Sequence, residues 1–277
     1  MINRSTDGKQ RVLSLSYGKD SLACLGAIEQ LRLPLDRIVH AEVWATDTIQ
    51  ADLPPMVEFK AKAGAIIKER WGFEVEHYRA TYYRMCVNPT FESVFYRKKA
   101  SGKYKGGIVG FPLSIGHWCQ DLKNNAVKEA QANARNCTQY LGIASDELNR
   151  LRNLDGVSKI SPLVLIGWTE ADCRKWCEDN DLLSPIYTSS ARGGCWFCPV
   201  QPLEQLRILR KRYPDLWALL LKWDNDSPVP FRADGHTVHD FDRRFQLEDE
   251  GLIDPKARFR WSMLENSLSR KENNHDI

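Results

Sequence analysis

The chain has 277 residues, 43% of them hydrophobic, and a formal net charge of +3. That length can bury a full core in one or two domains, and the charge is too small to argue for a nucleic-acid partner by itself. No apolar run is long enough to span a bilayer and no apolar leader-like stretch is visible, so a soluble, cytoplasmic protein with no membrane partner is expected; its eight cysteines then read as reduced thiols, metal ligands or catalytic groups rather than a disulfide framework.

Residues 11–16 predict a short apolar strand and residues 20–32 a helix, with Asp20 and Ser21 suited to its N-terminus. Between them runs Ser16-Tyr17-Gly18-Lys19-Asp20-Ser21, a glycine-centred, hydroxyl-rich turn. Such a strand–loop–helix edge aims backbone N–H groups and a partial positive charge at one point, which suits a phosphate. Lys19 adds a full charge, and Ser16 and Ser21 add hydroxyl donors. The G-x-x-x-x-G-K-[ST] loop is absent, which excludes a standard P-loop NTPase. Residues 38–46 predict a second strand, 55–71 a helix, 73–78 a third strand, 120–136 a helix and 138–144 a fourth strand. This alternation means βαβ units and a parallel sheet with helices on both faces, whose ligands bind beyond the carboxyl ends of the strands.

Residues 96–110 break the pattern with Arg97, Lys98, Lys99, Lys103 and Lys105 set among glycines. They read as a mobile basic loop, either simply solvated or holding an anionic substrate. Beyond Pro202, helices are expected over 203–212, 215–223 and 238–250, with a frayed polar end over 269–277. The chain thus divides into an α/β domain over 1–200 and a helical extension over 201–277.

Further segments carry chemistry. Ala45-Thr46-Asp47-Thr48 closes the second strand. In His117-Trp118-Cys119-Gln120-Asp121-Leu122-Lys123, Cys119 starts a helix, where a thiol pKa is lowered, and Lys123 follows one turn later. Tyr140-Leu-Gly142-Ile-Ala-Ser-Asp146-Glu147-Leu-Asn-Arg150 offers two carboxylates for Mg²⁺ or ribose hydroxyls and an arginine for phosphate or sulfate; it also reads as a helix start capped by Ser145. Gly193-Gly194-Cys195-Trp196-Phe197-Cys198 is a Cys-x-x-Cys that fits half a zinc knuckle, a redox pair or an iron–sulfur half-site. Cys24, Cys173 and Cys177 fall on helical faces and read as core thiols. His40-Ala41-Glu42 shares residues with the zinc deaminase signature, but the triplet lies inside a predicted strand and the Cys-x-x-Cys lacks a preceding proline. A thioredoxin-like reading fails because the pair lies outside the first βα turn.

In this order, over about residues 11–200, these segments resemble the PAPS reductase-like branch of the PP-loop ATP pyrophosphatases, within the adenine nucleotide alpha hydrolase-like superfamily. The resemblance implies a Rossmann-like adenine nucleotide α-hydrolase sheet with a helical C-terminal part. It implies an adenine nucleotide, ATP or else PAPS or APS, on Ser16, Tyr17, Gly18, Lys19, Asp20 and Ser21 with Mg²⁺. Asp47, Asp146 and Glu147 would serve metal or ribose, and Lys123 and Arg150 would hold anionic groups. Cys119, Cys195 and Cys198 would surround a metal centre, a [4Fe–4S] cluster or alternatively zinc. The fourth ligand is open, with Cys86, His117 and Cys137 as candidates, or one iron stays free to carry sulfide.

The resemblance implies two activities. In the first, an acceptor oxygen attacks the α-phosphorus of ATP, pyrophosphate leaves, and sulfur or nitrogen displaces the adenylate, with Lys19, Asp20, Lys123 and Arg150 as catalytic residues. Thiolation of a nucleic-acid base or phosphorothioation of DNA would be end reactions, with a sulfur donor protein as partner and the basic segments 97–105 and 207–212 facing the nucleic acid. The second is reduction of PAPS or APS. Family members of that kind attack with a C-terminal cysteine, and none follows Cys198 here. A non-catalytic nucleotide- or nucleic-acid-binding module is the third reading, because Tyr17 stands where most PP-loops have glycine. The sequence carries no mark of oligomeric state.

Overall fold

The computed structural model describes residues 2–102, 105–112, 118–132, 136–189, 194–256 and 260–261. Lys103, His117, Arg192, Gly193 and the polar end at 269–277 lie outside the described residues. The chain divides into two units, Met1–Val94 with Trp118–Trp196, and Phe95–His117 with Phe197–Ile277. The basic segment therefore groups with the helical unit rather than with the α/β part.

In the first unit, β1 (Gln10–Ser14) leads to α1 (Lys19–Gln30), β2 (Arg37–Ala41), α2 (Pro54–Trp71) and β3 (Val75–Tyr78). A small hairpin, β4 (Tyr82–Tyr83) and β5 (Cys86–Val87), precedes α3 (Phe91–Phe95), α4 (Trp118–Ala132) and β6 (Cys137–Leu141). Then come α5 (Leu148–Leu151), β7 (Lys159–Ile160), α6 (Pro162–Ile166), α7 (Glu170–Asp179) and α8 (Ile186–Ser189). Among the described residues the main sheet has five strands in the order β3-β2-β1-β6-β7, and every neighbouring pair is parallel. The unit is an α/β fold.

Apolar runs explain the sheet. Val12 and Leu13 point to opposite faces of β1 and both are fully buried, so both faces are covered. Leu13 packs with side chains of α1, α2 and α7, including Leu22, Met56, Phe59 and Cys173; Val12 packs with Val39 and with Ala130 of α4. Helix α1 is buried continuously from Ser21 to Ile28, as a helix between a sheet and other helices must be. Gly26 permits that sandwich, since a Cβ there would sit 2.4 Å from the Trp176 ring on α7.

The strand order reverses at β1. The chain goes from β1 to β2 and β3 on one side, then returns to place β6 and β7 on the other. The segments leaving the carboxyl ends of β1 and β6 therefore part in opposite directions and open a crevice between them.

Two expectations change. The second strand stops at Ala41, because residues 43–51 fold back on themselves through Ala45 N–H to the Ile49 carbonyl (2.8 Å) and Ala51 N–H to the Val43 carbonyl (3.0 Å). The basic segment is not a loose loop: Val109 N–H donates to the Arg97 carbonyl and Lys99 N–H to the Gly107 carbonyl, so its arms pair as a hairpin with Gly102 and Gly106 at positive φ near the turn.

The second unit holds α9 (Leu203–Arg212), α10 (Pro214–Asp226) and α11 (Val238–Asp249). Its core is aromatic, with Trp223 against Phe95 and Phe197, and Phe231 against Phe111 and Phe241. Among the described residues no helix is long and apolar enough to cross a membrane.

Candidate functional site

The loop after β1 sits at the strand-order reversal. Leu15 N–H still donates to the Val39 carbonyl, and then Tyr17 takes φ +56, the left-handed region that ordinarily favours glycine. Its ring is fully buried, so packing holds a conformation that costs about 1–3 kcal/mol. Ser16 N–H donates to Ser21 Oγ (3.1 Å), the two serine hydroxyls lie 3.0 Å apart, and Ser21 Oγ donates to the Gly18 carbonyl (3.0 Å). The Ser21 hydroxyl, expected to donate to a phosphate, instead closes the loop onto the first turn of α1.

Gly18 caps α1, and Lys19 N–H donates to Tyr187 Oη of α8 at 3.0 Å. No acceptor among the described residues takes the amide protons of Asp20 and Ser21. Those two donors, at the positive end of α1, are the unspent hydrogen-bonding capacity of the crevice. Gly142, just past β6, packs against this turn: a Cβ there would meet Ser21 N at 2.6 Å and Ser21 Cα at 2.7 Å. The Lys19 ammonium lies 2.7 Å from both Asp20 Oδ1 and Glu170 Oε1. Burial works against its charge, but the hydrogen bonds to both carboxylates outweigh it and raise the lysine above its ordinary value. Burial pushes the Asp20 carboxyl up, and Lys19 holds it back.

The remaining motif residues fall nearby with local work to do. Asp146 Oδ1 accepts from Glu170 N–H (3.0 Å), tying the β6 loop to the start of α7. Glu147 accepts from Ala144 N–H (3.0 Å) and holds Arg150 at 2.7 Å, so the arginine expected on a phosphate is paired. Asp47 is 91% exposed and lies 3.8 Å from Arg79. Lys123 is exposed on α4, near enough to His40 to oppose its protonation. The carboxylates Asp20, Asp146, Glu147 and Glu170 give the oxygen chemistry that Mg²⁺ takes.

The sequence matches no family model and no curated protein.

Cys119 lies in the first turn of α4 and is half-buried, as are Cys195 and Cys198. Cys195 is anchored through its neighbour: Trp196 donates from N to the Ala51 carbonyl and from Nε1 to the Gln50 carbonyl. Cys198 belongs to the second unit, in a turn closed by Gln201 N–H donating to its carbonyl. Cys24, Cys173 and Cys177 are sealed in the core, where burial pushes their thiols up, Cys177 to about 12. Cys137 is removed as a partner of Cys119. The Arg37 guanidinium at the start of β2 reaches the Ala130 carbonyl, so α4 runs antiparallel to the strands and carries Cys119 to the carboxyl edge, whereas Cys137 pairs with Gln10 at the amino edge. Cys86 remains, on a hairpin joined to the first turn of α4 by Tyr83 Oη donating to Asp121 Oδ2 (2.9 Å). His117 lies outside the described residues.

The basic run 207–212 is largely neutralised within its own unit. Arg207 pairs with Glu204 and Glu248, and Arg210 with Asp242 and Asp249, leaving Lys211 and Arg212 exposed.

A second group includes His40 and Glu42 of the triplet whose deaminase likeness the sequence discounts. His40 is the penultimate residue of β2, buried, and its Nδ1 lies 2.8 Å from the Leu15 carbonyl. A carbonyl only accepts, so Nδ1 carries the proton and Nε2 offers a lone pair. Lys60 of α2, 8% exposed, donates to that Nε2 (2.8 Å) and to Asp52 Oδ2 (2.6 Å). Glu42 Oε1 lies 2.6 Å from His77 Nδ1, and His77 Nε2 lies 3.4 Å from Tyr17 Oη. Burial, then the Lys60 charge, lowers His40 to about 3; the His77 hydrogen bond lowers Glu42 to about 2. Tyr17 thus faces both groups, its main chain in the loop and its ring among the histidines.

Proposed function

We propose that this protein is an adenine-nucleotide-binding enzyme that activates an acceptor by attack on the α-phosphorus of ATP, releases pyrophosphate, and couples that step to sulfur transfer to a nucleic acid or small molecule. The observation that carries the reading is the pair of unpartnered amides on Asp20 and Ser21, held at the strand-order reversal by the close packing of Gly142. A phosphate placed there accepts from both amides and feels the α1 dipole. Lys19, turning from Glu170, stabilises charge on the leaving pyrophosphate, while Asp20 and Glu170, so released, suit a Mg²⁺ counter-ion. The acceptor oxygen forms a bond to the α-phosphorus as the bond to the β-phosphate oxygen breaks.

Cys119, Cys195 and Cys198 would hold an iron–sulfur centre, which supplies sulfur chemistry when bound. The acceptor surface is not assigned to the 207–212 run, since Arg207 and Arg210 are already paired.

Pyrophosphate release from Mg²⁺–ATP, measured with total tRNA or duplex DNA as acceptor, tests this. Lys19→Ala is expected to lower release by about a hundredfold, the scale of losing one transition-state donor, with an unchanged far-UV circular dichroism spectrum. Equal release by both proteins, or none by the wild type, would remove the assignment.

A further inference from the structure

We propose that His40, Glu42 and His77 form a binding site for one divalent transition-metal ion, of the zinc or cobalt class, on the α2 face of the sheet. It does not depend on the nucleotide reading, and it uses none of the cysteines.

Strand pairing brings the donors together. In the parallel register of β2 and β3, His40 stands opposite His77, so their side chains share one face. Glu42 is two residues past His40, and its N–H extends the ladder to the Tyr78 carbonyl (2.7 Å), so the strand's period of two returns it to that face. One ligand atom from each of the three residues lies within 4.8 Å of the others. Donors around a tetrahedral zinc sit about 3.3 Å apart, given bonds of about 2.0–2.1 Å, so closing on an ion takes side-chain movement only. Two histidines and a carboxylate are a set such ions favour.

Access and orientation agree with this. Glu42, His77 and Tyr17 line a cleft of about 480 Å³, so three protein donors leave a coordination position open to it. His40 Nδ1–H is spent on the Leu15 carbonyl, the second contact that fixes a metal-binding imidazole with its other nitrogen facing the ion. Glu42 is already held against His77, and Tyr17 Oη stands beside that imidazole as a further oxygen.

Lys60 is the competitor. Its ammonium donates to His40 Nε2, the lone pair the ion needs, and it also holds Asp52. An incoming ion takes the His40 lone pair and displaces the proton shared by His77 and Glu42, while Lys60 keeps Asp52 as its partner. Lys60 therefore weakens the site, and removing its charge should strengthen metal binding.

Cobalt(II) and zinc(II) titrations of the full chain, followed by calorimetry and ligand-field absorption, test the proposal. They are run on the wild type and on a Cys119→Ser, Cys195→Ser, Cys198→Ser protein. One ion is expected to bind the triple-serine protein with no thiolate charge-transfer band. His77→Ala, at a largely accessible position, and Glu42→Gln should each weaken it by at least about tenfold, about 1.4 kcal/mol. Lys60→Met should tighten it. No binding to a folded triple-serine protein, or equal affinity in His77→Ala, would overturn the site. Affinity unchanged or weaker in Lys60→Met would overturn the competition.

Discussion

Gly142→Ala is expected to lower stability by about 1–3 kcal/mol and to abolish nucleotide binding. The added methyl would lie 2.6 Å from Ser21 N, 2.7 Å from Ser21 Cα and 2.8 Å from the Asp20 carbonyl carbon. All three are main-chain atoms of the first turn of α1, which cannot swing aside as a side chain can. The turn must move away from β6, and with it the amides of Asp20 and Ser21. Stability and binding therefore fall together, because one contact sets both. Gly64→Ala is the control: it lies in α2 with nothing within 4 Å of the added Cβ, and alanine is favoured there by about 1 kcal/mol. Urea midpoints and ATP titrations of the two variants decide the matter. Wild-type values in Gly142→Ala would contradict the account of the crevice.

The second large effect is acid destabilisation of the metal-free protein, with His40 as its source. His40 titrates near its ordinary 6.5 in the unfolded chain and near 3 when folded, because burial and then the Lys60 charge disfavour the imidazolium. Below pH 6.5 the unfolded chain binds a proton that the folded chain refuses. Stability then falls with pH by up to about 1.4 kcal/mol per unit, until the folded imidazole also protonates near pH 3. Glu42 acts in a lower window: its depressed carboxyl contributes stability above its ordinary 4.5 that is lost as pH falls towards 2. Between pH 6.5 and 4.5 the wild type should therefore lose stability that His40→Gln does not lose. Chelator-treated protein unfolded in urea across that range gives the comparison, and parallel slopes would refute the His40 assignment.

Much of the fold is legible in the sequence because the strands and helices alternate with clear periodicity. The helix over 203–212 is observed with the same ends, and 55–71 is off by one residue, since Pro54 is the first residue of α2. Short elements are not legible: β7 has two residues, Lys159 and Ile160, and forms only because β6 offers it a partner. Helix α7 is marked by its capping box, Thr169 with Asp172, but its charged surface blurs the apolar stripe.

The candidate site divides in the same way. The Ser16–Ser21 turn and Gly142 are visible as a local pattern, yet their contact is not, since it depends on β1 and β6 being neighbours. Tyr187 reaches Lys19 N–H from far along the chain. His40 and His77 become partners only through the β2–β3 register, and Lys60 reads as one more solvated helix lysine until α2 is laid over that face. Asp146, Glu147 and Arg150 were legible as chemistry but serve in part as caps and ion pairs, because a loop leaving a strand must satisfy its own amides first.

The most direct test of the nucleotide site is the backbone amide spectrum of ¹⁵N-labelled protein titrated with Mg²⁺–ATP. Asp20 and Ser21 should show the largest shifts and the strongest gain in exchange protection, with Gly142 following because it packs on them. ATP binding that leaves those amides unmoved would place the nucleotide elsewhere and contradict the account.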